Sequence, residues 1–461
     1  MNQKTVFLVV ISSIFLLGAG VLIFSPGPKT KNDLLCDLSL EKSSHPKSDK
    51  ISISVHVDGS GSMLGYVTNS NSRYVKALDL LYDTFSLVKS RPQTTVKYFR
   101  SGNNNQKLTI SEFKKAQQTE FYDGRNSTNF PPVSSGLDSA IIPPEKEDKL
   151  FVLVTDLYQN EADVTSLNKK IQETYLNKER KGYAVGILAF KSEFNGKVYV
   201  LGNNQEQFIY DTQGKPLERF RPFYILIMGP YDDIVYYIDK LKNNGKDIFD
   251  ETKSVIFSPT NLVSNLSSLA TSKLELTREV KESLRQTKSL NDGKVAVQIK
   301  DNSPIKLWNI TSNSSQTLSI PYSVDFVPLN DSLPIDDKTI QTHVKVESLN
   351  QKQTSDEAKS LLQLDDWKVD NKKLNFTANI NPKSVQKPGI YYFTVDALAK
   401  DLQEQEWWDK WSWTAGRDAQ NDGSKTHNLS NFLRGLKTLT TEIMETEQPI
   451  IGRFCYTIQK N

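Results

Sequence analysis

The chain has 461 residues, enough for two or three domains. Its net charge of +3, with 24% charged residues, gives no basic surface on the scale that a nucleic-acid binder uses. An apolar share of 37% with 10% aromatic residues excludes wholesale disorder.

After a tail of residues 1–4, residues 5–24 carry no charge and are almost uniformly apolar. That length crosses a bilayer as a helix. Its place at the extreme N-terminus argues against a core helix and for a transmembrane signal anchor or a cleaved signal peptide. Gly18-Ala19-Gly20 offers a cleavage site, but Val21 to Phe24 continues the apolar run, which favours an uncleaved anchor. Lys4 on one side and Lys29 and Lys31 on the other leave the orientation without a charge vote. The short N-terminus favours a single-pass arrangement with the soluble body outside the cytoplasm, in a periplasm or at a cell surface. Residues 25–50, rich in Ser, Pro and Lys, read as a tether. Cys36 and Cys455 are the only cysteines, and in an oxidising compartment they invite an intramolecular disulfide; two unrelated thiols are the alternative.

Ile51, Ile53, Val55 and Val57 alternate with Ser52, Ser54 and His56, the period-two pattern of a strand. The strand runs into Asp58-Gly59-Ser60-Gly61-Ser62. One carboxylate and two hydroxyls so close together are hard oxygen ligands, suited to Mg²⁺, Mn²⁺ or Ca²⁺. The glycines allow a sharp turn that converges the three side chains. The plainer reading is a loop whose Asp and Ser cap the next helix.

Val75, Leu78, Leu81, Phe85 and Val88 have helical spacing within Tyr74 to Val88, and Thr94 to Phe99 reads as a strand. Gly124 to Asn129 is a loop, followed by Pro131-Pro132 and a helix-like Val133 to Ile142. Lys149 to Leu157 is a nearly continuous apolar run, as in a central parallel strand covered on both faces, and it delivers Asp156 at its end. In these stretches the chain resembles the von Willebrand factor A (vWA) family and its metal-ion-dependent adhesion site (MIDAS). The resemblance implies metal ligation by Asp58, Ser60 and Ser62 after the first strand, by Thr128 from a later loop, and by Asp156, usually through water. It further implies Mg²⁺, with Mn²⁺ or Ca²⁺ as alternatives, and a partner's Asp or Glu carboxylate in the open coordination position. Two positions depart from the family pattern: Leu157 stands where glycine is common, and Arg125 lies shortly before Thr128.

Val164 to Tyr175 and Asp232 to Leu241 read as helices, and Tyr183 to Phe190 and Phe223 to Met228 as strands. Between those strands, residues 191–219 form an insertion in which Lys197 to Leu201 and Gln207 to Tyr210 suggest a hairpin. The expected fold class for residues 51–254 is therefore α/β, a doubly wound, mostly parallel, Rossmann-like sheet. Residues 255–289 read as a connector, helical over 263–289. Residues 290–400 read as a β-rich module, with strands at 294–299, 306–310, 316–327, 341–348, 372–379 and 390–396, a helix at 355–364, and the shape of a β-sandwich. Residues 401–461 hold Trp407, Trp408, Trp411 and Trp413, then Leu429, Phe432, Leu433, Leu436 and Leu439 at helical spacing. The tryptophans are read as packing a core or a junction rather than as an exposed partner surface.

Four scattered histidines, and no phosphate-binding loop, nucleophile elbow or paired cysteine motif, argue against an enzyme. A hydroxyl-rich metal site favours capture of an outside carboxylate over activation of water. The expected function is a membrane-anchored, extracytoplasmic vWA protein that binds a protein partner through a divalent metal. The alternatives are a structural or assembly subunit of a membrane or envelope complex that uses the domain as scaffold and, more remotely, a metal-dependent hydrolase.

Overall fold

The computed structural model describes residues 31–34, 36–39, 49–87, 93–124, 128–144, 149–158, 164–199, 207–269, 284–285, 289–291, 296–299, 305–310, 316–349, 356–370, 372–385, 389–413 and 422–460. The strands of its first half are β1 (Lys31–Leu34), β2 (Lys50–Asp58), β3 (Gln93–Ser101), β4 (Gln106–Leu108), β5 (Lys149–Thr155), β6 (Tyr183–Ser192), β7 (Asn195–Tyr199), β8 (Gln207–Asp211), β9 (Arg221–Pro230) and β10 (Lys253–Phe257). Seven of these form one sheet in the order β10-β6-β9-β5-β2-β3-β4. The apolar runs of β5, β6 and β9 are buried along nearly their whole length, as strands covered on both faces must be.

The expected mostly parallel sheet is corrected here. Only the β2–β3 and β2–β5 pairings are parallel; the β3–β4, β5–β9, β6–β9 and β6–β10 pairings are antiparallel. The reason lies in the connection. Among the described residues no crossover helix separates β6 from β9; the β7–β8 hairpin and a short turn lie there, and the chain returns beside β6 in the reverse direction. β9 thereby wedges between β5 and β6. β10, which straddles the expected boundary between the first domain and the connector, is one edge strand, and β4 is the other.

The transmembrane anchor, and the membrane location drawn from it, are also corrected. Among the described residues no helix is long and apolar enough to cross a membrane. The helix Leu429–Glu447 has 19 residues but carries Arg434, Lys437, Glu442, Glu445 and Glu447 among its apolar positions, the mark of an amphipathic surface helix. Residues 5–24 lie outside the described residues, as does Arg125.

Helix α1 (Arg73–Tyr82) is capped by Ser72, whose hydroxyl accepts from the Val75 N–H. With the helix Tyr231–Asn244 it covers one face of the sheet, over a core that includes Val55, Leu78, Val152, Ile227 and Ile238. The other face is covered by the helix Val164–Thr174 and, beside it, by the distant helix Leu429–Glu447. Asn168 donates to the Phe432 carbonyl across that pair, and a side chain at Gly435 would collide with Asn168. All four clustered tryptophans are buried, and Trp408 lies 6.0 Å from Phe257 of β10. The expected helix over 133–142 is a single turn, Leu137–Ala140.

Beyond β10 the chain builds two facing sheets. The larger contains Ile305–Ile310, Ile450–Lys460, Gly389–Leu398 and Gln341–Ser348 in that order, and the smaller contains Leu318–Asp325, Lys373–Ile380 and Leu362–Asp370. They meet through aromatic rings, with Phe376 4.5 Å from Phe454 and Tyr322 6.1 Å from Tyr456. The expected helix at 355–364 is a short 3₁₀ turn, Asp356–Leu361, that leads into a strand. The final strand, Ile450–Lys460, lies at the centre of the larger sheet, so the β-rich module closes only with the last residues of the chain. Within the tether, β1 pairs in parallel with Ala296–Ile299. Cys36 and Cys455 form a disulfide, with Cα atoms 6.0 Å apart. One buried cluster runs from Leu153 and Tyr224 through Trp408 and Leu433 to Phe376 and Phe454, so the two halves share a core.

Candidate functional site

The parallel strands β2 and β5 end side by side, and their last residues define the site. Asp58 ends β2 and Asp156 follows β5; both are buried, at 1% and 0% exposure. The turn after β2 is held by the Gly59 N–H on the Ser101 carbonyl, at 2.8 Å. The Ser60 N–H donates to Asp58 Oδ1 at 2.9 Å, which folds the loop back over the carboxylate. Ser60 Oγ and Ser62 Oγ are 3.1 Å apart, and Ser62 Oγ donates to Asp156 Oδ1 at 3.1 Å. Four of the five residues expected from the sequence therefore converge. The fifth, Thr128, is exposed on its loop, and among the described residues no hydrogen bond joins it to the other four.

The glycines act differently from the sequence expectation. Neither Gly59 nor Gly61 adopts a positive φ. Gly59 is needed for close approach, since a Cβ there would lie 2.5 Å from the Arg100 side chain, whereas Gly61 has room. The strained backbone falls instead at Leu157, with φ 59°, where glycine is common in the resembled family. The chain takes the turn a glycine would take and anchors it with a buried leucine.

Two further hydroxyls complete the shell. Thr155 Oγ1 donates to Asp58 Oδ2 at 2.9 Å, and Ser135 Oγ lies 3.2 Å from the same oxygen and 2.6 Å from the Tyr158 carbonyl. Thr155 was not among the residues expected from the sequence, although it immediately precedes Asp156. Ser135 comes from the same stretch as Thr128, beyond the Pro131-Pro132 pair.

A third residue that sequence reasoning missed is Arg221. It begins β9, the reversed strand, so its position is the start of a strand and not the end. Its Nη2 donates to Asp156 Oδ2 at 3.0 Å, with both side chains almost fully buried. Nothing near Arg221 in sequence signals this pairing. Burial works against its charge, but Tyr66 and Asp156 outweigh burial and raise its pKa. Burial, followed by repulsion from Asp156, pushes the Asp58 carboxyl up to about 6. Two buried carboxylates thus face one paired guanidinium.

His56 is no part of this set. It is fully buried, stacked 4.5 Å from both Phe99 and Phe151, with Nδ1 2.9 Å from Ser101 Oγ. Burial lowers its pKa to about 3, so it is neutral.

Above the edge, the β7–β8 hairpin closes over the loop. Gly65 has no room for a side chain against Phe194, and the tilted rings of Tyr158 and Tyr199 pack with centroids 5.4 Å apart. The segment Asp422–Asn428 arrives from the other side. Arg219 pairs with Asp422 at 3.2 Å, Lys191 donates to the Ser424 carbonyl, and Tyr224 Oη is 2.9 Å from Thr426 Oγ1.

The donor set fits a hard cation. All the converging groups are oxygens, and neighbouring ligands of an octahedral ion with metal–oxygen distances of about 2.1 Å lie about 3 Å apart, close to the spacing of Ser60, Ser62 and Asp156. No group of three or more His, Cys, Asp or Glu that could hold a metal occurs among the described residues. A site here depends on the serine hydroxyls. Comparison with protein-family models, with curated proteins and with solved structures gives no match.

Proposed function

We propose that the chain is a vWA-type binding protein that holds a divalent cation at the Asp58 loop and uses it to capture a carboxylate on a protein partner. The observation that carries this reading is the convergence of Asp58, Ser60, Ser62 and Asp156 at one sheet edge, linked by contacts of 3.1 Å or less. Asp58, Ser60 and Ser62 would hold the ion, Thr128 would join from its exposed loop, and Asp156 would act through water. Mg²⁺ suits the set best, with Mn²⁺ and Ca²⁺ as alternatives. When bound, the ion supplies positive charge with a free coordination position. The protein's own part is to hold Asp58 in place through Thr155 and Ser135, and to neutralise Asp156 with Arg221. Hydroxyl ligands bring no charge of their own, so the ion keeps an appetite for an outside anion.

A second reading makes the domain a scaffold, without adhesion. The Arg221–Asp156 bridge favours it, because a buried guanidinium already supplies one permanent counter-charge at the site.

Calorimetric titration of the full chain with Mg²⁺, Mn²⁺ and Ca²⁺ separates the two. Saturable binding that Asp58→Ala weakens by about a hundredfold or more, with an unchanged circular dichroism spectrum, supports the first. Absence of binding, even with an acidic peptide added, removes it and leaves the scaffold.

A further inference from the structure

An edge strand leaves half of its backbone N–H and C=O groups without a strand partner, and proteins blunt such edges with short strands, prolines, bulges or covering segments. In the seven-stranded sheet and the two facing sheets, every edge but one is treated this way. β4 has three residues. β10 is covered, with its Ile256 N–H donating to the Asp331 carbonyl. Leu284–Arg285, at one end of the larger facing sheet, has two residues. In the smaller facing sheet, Leu318–Asp325 carries Pro321, and Leu362–Asp370 is broken by a bulge between Asp365 and Lys368, with Asp366 at φ 56°. Gln341–Ser348 is the exception. It has eight residues, no proline or glycine, and pairs with Gly389–Leu398 without a register shift. Among the described residues its backbone has no backbone hydrogen-bond partner outside that pairing. An open groove of about 660 Å³ lies beside its first residues, lined by Gln341, Thr342, Asp365 and Trp367, so the flank is accessible there. His343, Lys345 and Glu347 are exposed along the strand, while Val346 between them is buried. These charges make the strand complementary to itself in one register. In an antiparallel pair of copies about a two-fold axis normal to the sheet at Val346, Lys345 of each copy lies opposite Glu347 of the other, and the two Val346 side chains meet. Moving the axis to Lys345 sets lysine against lysine, and moving it to Val344 sets His343 against Lys345.

We infer that the free edge of Gln341–Ser348 pairs with the same edge of a second copy of this chain in the Val346 register, joining two larger sheets into one continuous sheet. The inference stands apart from the cation reading, because the strand belongs to the β-rich module and neither Asp58 nor Asp156 takes part.

Sedimentation equilibrium of the full chain over a concentration series reads the association. The wild type is expected to dimerise reversibly. Lys345→Glu and Glu347→Lys each set like charges opposite one another at two places. Each is expected to weaken the dimer about tenfold or more, with an unchanged circular dichroism spectrum. The double variant is expected to restore the dimer. An equimolar mixture of the two single variants is expected to form a mixed dimer, because each reversed charge then faces an opposite one. A role for either residue within one chain predicts no rescue by mixing. A wild type that stays monomeric up to its solubility limit overturns the inference and leaves the edge to a strand of another protein. A dimer indifferent to both reversals overturns it too and places the contact on another surface. A dimer weakened by the single variants but rescued neither by the double variant nor by mixing also overturns it, since the register fixes which charges meet.

Discussion

The seven-stranded sheet has two unlike halves. On one side β5, β2 and β3 run parallel, and their ends deliver Asp58 and Asp156 as side chains that would repel one another in a buried space. On the other side β6, β9 and β10 alternate in direction, and the start of β9 delivers Arg221 to the same edge. A parallel half alone concentrates like-charged strand ends at one edge. A reversed strand brings its beginning there instead, and with it a residue that the parallel pattern could not provide. The lesson is that the charge balance of this edge is set by strand direction.

The comparison is most sharply broken at Arg221. Arg221→Ala leaves Asp156 buried and unpaired and is expected to cost about 3–5 kcal/mol in urea unfolding. Adding Asp156→Asn removes the stranded charge and is expected to recover part of that loss. A single variant as stable as the wild type would show that the antiparallel half contributes no charge balance.

Next in size is the disulfide that joins the two ends of the described chain across 419 residues of sequence. Cys36→Ser with Cys455→Ser is expected to cost about 2–4 kcal/mol. Hydrogen exchange is expected to rise first in Ile450–Lys460 and Ile305–Ile310, which flank the bridge, and last in β5 and β9. Uniform loss of protection would mean that the shared core couples the halves more tightly than the sheets suggest.

On the parallel side, Thr155→Val keeps the shape but removes a hydrogen bond to the Asp58 carboxylate. The expected cost is about 1.5–3 kcal/mol, read by thermal unfolding. A neutral result would assign the positioning of Asp58 to Ser135 and the Ser60 N–H.

The last prediction is read as a pH profile and concerns Lys191 of β6, buried with its ammonium 4.7 Å from the Trp411 ring. Burial lowers its pKa from 10.5 to about 7. Between those values the unfolded chain binds the proton and the folded chain does not, so this residue makes stability rise as pH increases from about 7 to about 10.5. Lys191→Met is expected to flatten that rise. An unchanged pH profile would mean that Lys191 stays charged against Ser424 and Trp411.

Much of the site was legible because its signals are local. The alternation of Ile51 to Val57, the Asp58 to Ser62 loop and the run ending at Asp156 each fall within a dozen residues. The helix Leu429–Glu447 was likewise visible from its spacing, as was the burial of the tryptophans before it. What could not be seen was the partner of each element. That helix packs against Val164–Thr174, far away in the chain, and the last strand fills the centre of a sheet begun at Ile305. Thr128 illustrates the converse: a residue of the right type at the right place in sequence, held on an exposed loop while Ser135 from the same stretch touches Asp58.

By itself the sequence determined most of the strands and longer helices of the first sheet, where the oxygen-bearing side chains cluster, and which cysteines were there to pair, because side-chain periodicity and turn chemistry act over a few residues; it overstated the helices at 133–142 and 355–364, which are short turns. Tertiary structure alone decided that β9 runs backwards, that Arg221 neutralises Asp156 from 65 residues away, and that a C-terminal helix roofs the first sheet. Strand direction follows from the connection and the burial it permits, and the charge of a buried site is settled only when distant residues are desolvated together.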